Sequence, residues 1–132
     1  MPRPDTDAVI HVATFRTALR SFLRESELAA RASGLTPQRY LLLLLIKGAP
    51  DGSESATVTD LVARLGLAQS TVTELVSRAE ETGLVERSQS GADGRVVHLR
   101  LTGEGERRLA AAFSRNDAER ERLRQAFAEL DG

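Results

Sequence analysis

Gln69, Ser70, Thr71, Thr73, Glu74, Ser77 and Arg78 form the densest stretch of hydrogen-bonding chemistry in the chain. Short hydroxyls and an amide at helical spacing reach base edges and phosphates in a major groove without bulk. Arg78 can donate to a guanine or a phosphate. Glu74 can accept from cytosine N4, or repel phosphate and hold the helix in register. Further on, Arg95 stands just past a loop tip, beside Asp93 and Gly94. An arginine there suits the strongly negative minor groove, and Asp93 is placed to hold its guanidinium by a salt bridge. Catalytic chemistry has no such concentration. His11 and His98 are isolated, the acidic pairs sit on charged helices, and there is neither a phosphate-binding Gly-rich loop nor an H-E-x-x-H run. No enzyme activity, metal or cofactor is expected.

A polar face on an isolated helix is ordinary solvated surface, so the surrounding elements decide the reading. Val58, Leu61, Val62 and Leu65 predict a helix that Thr57 begins, with Asp60 as its capping-box partner, and that Gly66 ends. Leu67 is expected to pack between that helix and the next. The next runs from Gln69 to Thr82, burying Val72, Leu75, Val76 and Ala79 and stopping at Gly83. Ser70, Thr73, Glu74, Ser77 and Glu81 face outward, flanked by Gln69, Thr71 and Arg78. Leu84–Arg87 then reads as a strand and 88–94 as a turn-rich loop. Val97, Leu99 and Leu101 alternate with Val96, His98 and Arg100 as in a half-buried strand. Helix, turn, helix and hairpin in this order predict a winged helix-turn-helix that docks on double-stranded DNA, with its wing in the flanking minor groove.

At this point GLVER, DGR and LRLTGEG resemble the signature of the multiple antibiotic resistance regulator (MarR) family. That family's wing carries D-x-R followed by a strand and L-T-x-x-G, here Asp93, Arg95, Leu101, Thr102 and Gly105. GLTPQRYLLLLL, beginning at Gly34, resembles the family's second helix and its cap. The resemblance runs from about Asp7 to Leu130. It implies a homodimeric regulator, a repressor by analogy, binding a palindromic operator through interlaced N- and C-terminal helices. It also implies a small phenolic or aromatic-acid effector between the first, second and fifth helices. His11, Arg16, Arg20, Arg39 and Tyr40 are the candidates to line that site. One departure stands at Ala68, where the family usually has a side chain able to cap the recognition helix; an Ala there costs about 1 kcal/mol.

The whole chain bounds these expectations. Its 132 residues suit one domain. A content of 41% hydrophobic and 4% aromatic residues suits a helical fold. No cysteine is present, which excludes a disulfide scaffold, a thiolate zinc site and a thiol switch. The net charge of −1 argues against binding nucleic acid through a broad basic field, so affinity must rest on a few placed arginines. No leader is apparent and the longest apolar run, Leu41–Ile46, cannot span a bilayer; a cytoplasmic protein is expected.

Ala8, Val9, Val12, Phe15, Leu19, Phe22 and Leu23 predict an amphipathic first helix starting near Asp5 or Thr6, without an obvious partner in a small winged-helix core. Arg24–Ser33 either extends it or forms a turn. Thr36 and Pro37 start a helix to about Lys47 that is apolar nearly all round and belongs at the centre. A loop, 48–55, follows. Gly103 onward is helical again, with a break near Asn116 or Asp117. The predicted architecture is mainly α with a small β-hairpin wing: one domain over 1–132, with dimerisation helices at 6–47 and 103–132 and the DNA-binding unit at 57–102. The alternative is a winged-helix protein-interaction module, which Glu74, Glu80, Glu81 and Glu86 favour.

Overall fold

The computed structural model describes residues 1–89 and 96–130. Its elements run α1 (Thr6–Ala32), α2 (Pro37–Lys47), α3 (Val58–Leu65), α4 (Gln69–Glu81), β1 (Val85–Gln89), β2 (Val97–Leu101), α5 (Gly103–Arg115) and α6 (Asp117–Leu130). Among the described residues no helix is long and apolar enough to cross a membrane.

α2 occupies the centre, packing against α1, α3, α4, α5 and β2. The Arg39 amide donates to Thr36 Oγ1 at 3.1 Å, and Pro37 takes the first helical position, where its missing N–H is no loss. Leu42, Leu43 and Ile46 are fully buried and join Leu61, Val72, Val76, Leu84 and Leu99 in the core. Leu41 departs from the expected all-round burial: it faces outward and is 44% exposed.

α1 resolves the ambiguity at Arg24–Ser33, since the helix continues to Ala32. It closes with Leu35 N–H donating to the Ala30 carbonyl and Gly34 N–H to that of Arg31, a Schellman arrangement with Leu35 buried. The stripe of α1, left without an obvious partner in the small winged-helix core, finds one in the C-terminal helices of its own chain. The helix lies along α6 and, less extensively, α5. Ala18 is buried, Phe15, Leu19 and Phe22 are half-buried, and the Phe15 and Phe127 rings sit 6.1 Å apart. Val9, Val12 and Leu23 of the same stripe stay about half exposed.

The hairpin pairs antiparallel, from Val85 opposite Leu101 to Gln89 opposite Val97. Its first strand begins one residue later than predicted and includes Ser88 and Gln89, which the turn-rich composition assigns to the loop. Strand pairing across to His98 and Val97 overrides that local preference. Ala56 adds an unpredicted third edge, exchanging two backbone hydrogen bonds with Leu99 at 3.1 and 2.8 Å.

One corner binds these parts together. α4 ends at Glu81, with Thr82 as its cap. Gly83 follows at φ 74°, a left-handed conformation that side chains resist. Leu84 N–H then donates to the Ala79 carbonyl and Gly83 N–H to that of Glu80. The Thr102 hydroxyl donates to the Gly83 carbonyl at 2.6 Å and accepts from Gly105 N–H at 3.1 Å, while Thr102 N–H donates to the Leu84 carbonyl. Gly105 lies so close that a Cβ there would fall 2.1 Å from the Leu84 carbonyl oxygen. The L-T-x-x-G run is thus a folding device: Leu101 fills the core, Thr102 caps α5, and Gly105 lets α5 press against the corner.

Candidate nucleic-acid interface

α3 and α4 form the helix-turn-helix. The capping box at Thr57 is complete, with Asp60 N–H donating to Thr57 Oγ1 at 3.1 Å and Thr57 N–H to Asp60 Oδ2 at 3.0 Å. Gly66 ends α3 in the left-handed region. Arg64 donates to the Leu45 carbonyl at 3.0 Å, tying α3 to the end of α2. Leu67 does not pack between the helices as expected. It is 38% exposed, because Leu61, Val72 and Val76 already close that space.

α4 buries Val72, Val76 and Ala79, with Leu75 half-buried. This stripe turns the opposite face outward. Gln69, Ser70, Thr71, Thr73, Glu74 and Arg78 are exposed and Ser77 is half-buried, so the structure brings all seven α4 residues of the candidate set onto one accessible surface. Ala68 is the N-cap and provides no side-chain hydrogen bond. The first-turn N–H groups are left for another acceptor, and the helix dipole there favours an anion. Arg78 is not free: its Nη2 and Nε donate to Glu74 Oε1 at 2.8 and 3.3 Å. Arg87 of β1 is held similarly by Glu80 of α4, with Nε 2.9 Å from both carboxylate oxygens. That pair links the strand leading to the wing with the helix beside it, and it raises the Arg87 pKa through the hydrogen bond to Glu80. Asp93 and Arg95 lie outside the described residues.

The candidate effector residues do not converge. Tyr40 is buried and lines a cavity of about 320 Å³ between α1, α2 and the α5–α6 junction. His11 is half-buried on α1, Arg16 and Arg20 are exposed on α1, and Arg39 is half-buried on α2; none of the four lines this cavity. Phe22, Leu44 and Phe113 supply apolar wall instead. Asn116, whose place in the sequence suggests only a helix break, and Arg120 supply polar groups. Asn116 is 2% exposed and its Oδ1 has no hydrogen-bond partner among the described residues. The Arg120 guanidinium lies 3.7 Å over the Phe113 ring and pairs with Asp117. Burial pushes the Tyr40 phenol up from its ordinary pKa, with the Arg120 charge opposing. The phenol therefore stays protonated at neutral pH.

Comparison with known proteins gives a consistent result. A family model described as the MarR family matches residues 33–96. The HTH-type transcriptional regulator YsmB of Bacillus subtilis is 38% identical over 71 residues, 54% of this chain and 47% of that protein. The transcriptional regulator HosA of Escherichia coli is 33% identical over 84 residues, 64% of this chain and 59% of HosA. The chain thus spans about half the length of the curated relatives it matches. Among solved structures, the Mycobacterium tuberculosis transcriptional regulator MOSR in complex with DNA is 30% identical. Its match covers 79% of this chain and 72% of that one, with a TM-score of 0.56. The transcriptional regulator Tm0710 of Thermotoga maritima is 29% identical with a TM-score of 0.66, covering 80% of this chain and 72% of its own. The helix-turn-helix, the hairpin packed on it and these likenesses agree: the chain belongs to the MarR family of winged-helix transcriptional regulators.

Proposed function

We propose that the protein is a cytoplasmic, homodimeric transcriptional repressor that binds a palindromic operator and is released by a small aromatic or phenolic effector. The observation that carries the DNA reading is the outward face of α4. Seven hydrogen-bonding side chains from Gln69 to Arg78, six of them exposed and Ser77 half-buried, line the outer face of a helix whose opposite stripe is locked into the core. In this reading α4 enters the major groove, and the wing carries Arg95, with Asp93 beside it, toward the minor groove. Dimerisation is supported by Val9, Ile10 and Val12 of α1 and by Phe127 and Leu130 of α6, apolar side chains left between 36% and 63% exposed. The effector reading narrows to the Tyr40 cavity. Its size suits a small ligand, and Tyr40 with its phenol donor and Asn116 with its unpartnered acceptor both line it among apolar side chains.

Purified protein incubated with sheared genomic DNA is expected to retain fragments sharing two inverted half-sites about 10 base pairs apart. Arg78→Ala should weaken that binding roughly tenfold. Retention of no common sequence by the wild-type protein sinks the reading. The second reading, a winged-helix module for a protein partner, is favoured by Glu74 and Glu81 on the outward face of α4. Co-purification of a stoichiometric protein, with no DNA selected, would support it.

A further inference from the structure

α4 has a single basic residue, Arg78, against Glu74, Glu80 and Glu81. Glu74 lies along the middle of the outward face with Ser70, Ser77 and Glu81, opposite the buried stripe of Val72, Val76 and Ala79. It holds Arg78 by two hydrogen bonds although both side chains are mostly exposed, 64% and 61%. Glu80 likewise engages Arg87, the basic side chain of the adjoining strand. Neither arginine therefore presents an uncompensated charge to a phosphate backbone. A helix built this way gains little from duplex DNA in general, because the dominant sequence-independent attraction is counterion release by unpaired cations.

We infer that Glu74 is the specificity-determining residue of α4. It makes the helix select a half-site in which a cytosine lies within about two base-pair steps of the guanine contacted by Arg78. The inference rests on the DNA reading proposed above. A carboxylate carried into the major groove loses water and meets base edges. Guanine N7 and O6 and thymine O4 are acceptors and repel it, whereas cytosine N4 donates to it. Adenine N6 also donates, but the N7 acceptor of the same base stands beside it and repels the carboxylate, so cytosine is the base that suits it best. An exposed ion pair opens at little cost, so at the right site Glu74 exchanges Arg78 for cytosine, and Arg78 is released to donate twice to guanine O6 and N7. At the wrong site the carboxylate keeps Arg78 for itself, and neither side chain gains a partner on the DNA. The four-residue offset corresponds to about 6 Å along the helix, which sets the distance between the two bases. Glu74 and Arg78 thus act as one unit that is silent until both bases are present.

The test is selection from a random duplex library by the full-length wild-type protein, Glu74→Ala and Glu74→Gln, with salt dependence measured on the enriched and a scrambled duplex. Wild-type sites should hold one cytosine per half-site, whose replacement lowers affinity roughly tenfold. In Glu74→Ala that preference should fall to about twofold or less, while the rest of the half-site persists. Binding of the scrambled duplex should tighten with a log–log salt slope steeper by about 1, as Arg78 is freed for phosphate. Glu74→Gln should move the preference from cytosine to adenine, which an amide reads with two hydrogen bonds. Identical base preferences in wild type and Glu74→Ala overturn the inference and leave DNA binding intact. So does a uniform gain in affinity on every duplex, which would make Glu74 merely repulsive. Enrichment of nothing by the wild type overturns the DNA reading and this inference together.

Discussion

Tyr40 is the chain's one tyrosine, and tryptophan is absent, so its ultraviolet titration reports on the cavity without interference. Burial raises its pKa above the ordinary 10.0. A group that holds its proton more tightly when folded leaves stability intact below the ordinary value and removes it as pH rises through the raised one. The phenolate absorbance of native protein is therefore expected to appear above pH 10.0 and to return to the ordinary value in urea. A native midpoint at the ordinary value would contradict the burial described here. Tyr40→Phe should also show a shallower loss of stability over that alkaline range. At this scale the sequence speaks unevenly. That a buried phenol needs a partner follows from Tyr40 alone. That Asn116 and Arg120 share its cavity does not, because the contact joins residues far apart in the chain through the packing of α2 against the α5–α6 junction.

Among the elements, the corner around Thr102 is the part on which geometry depends most. Gly105→Ala would push a Cβ against the Leu84 carbonyl oxygen, where backbone, not a movable side chain, stands in the way. The expected loss is about 3 kcal/mol, the upper end of overpacking costs. Urea denaturation should show it as a lower midpoint with an unchanged slope. A variant as stable as wild type would mean that α5 can shift away without penalty. Element boundaries were legible where one turn of chain decides them. Thr36–Pro37 starts α2, Thr57 with Asp60 starts α3, and Gly66 and Gly83 stop their helices, all within hydrogen-bonding reach of the residue responsible. The exposure of Leu67 is not legible, because an apolar residue in a turn says nothing about whether its neighbours already fill the space. The pairing of Ala56 is not legible either, because a single-residue edge, paired with the distant Leu99, has no periodicity to read.

For the whole molecule, the apolar stripe of α1 is divided in two. One part covers α6 and α5 within the chain; the other, with Phe127 at 63% exposed, is left facing out. Replacing Phe127 and Val12 together by Glu is expected to give a monomer by sedimentation while circular dichroism stays helical. DNA affinity should fall by more than tenfold, since two linked heads gain from effective concentration. A wild-type protein that already sediments as a monomer would refute the dimer. The residues that hold α4 in place and those it turns outward are separate sets: Val72, Val76 and Ala79 are fully buried, while Ser70, Thr73 and Glu74 are open to solvent. Exchanges on the outer set should cost stability little, as surface changes usually stay within about 0.5 kcal/mol. Evolution can therefore rewrite which sequence such a head prefers while its scaffold stays fixed, and duplicated copies can diverge in target without first being restabilised.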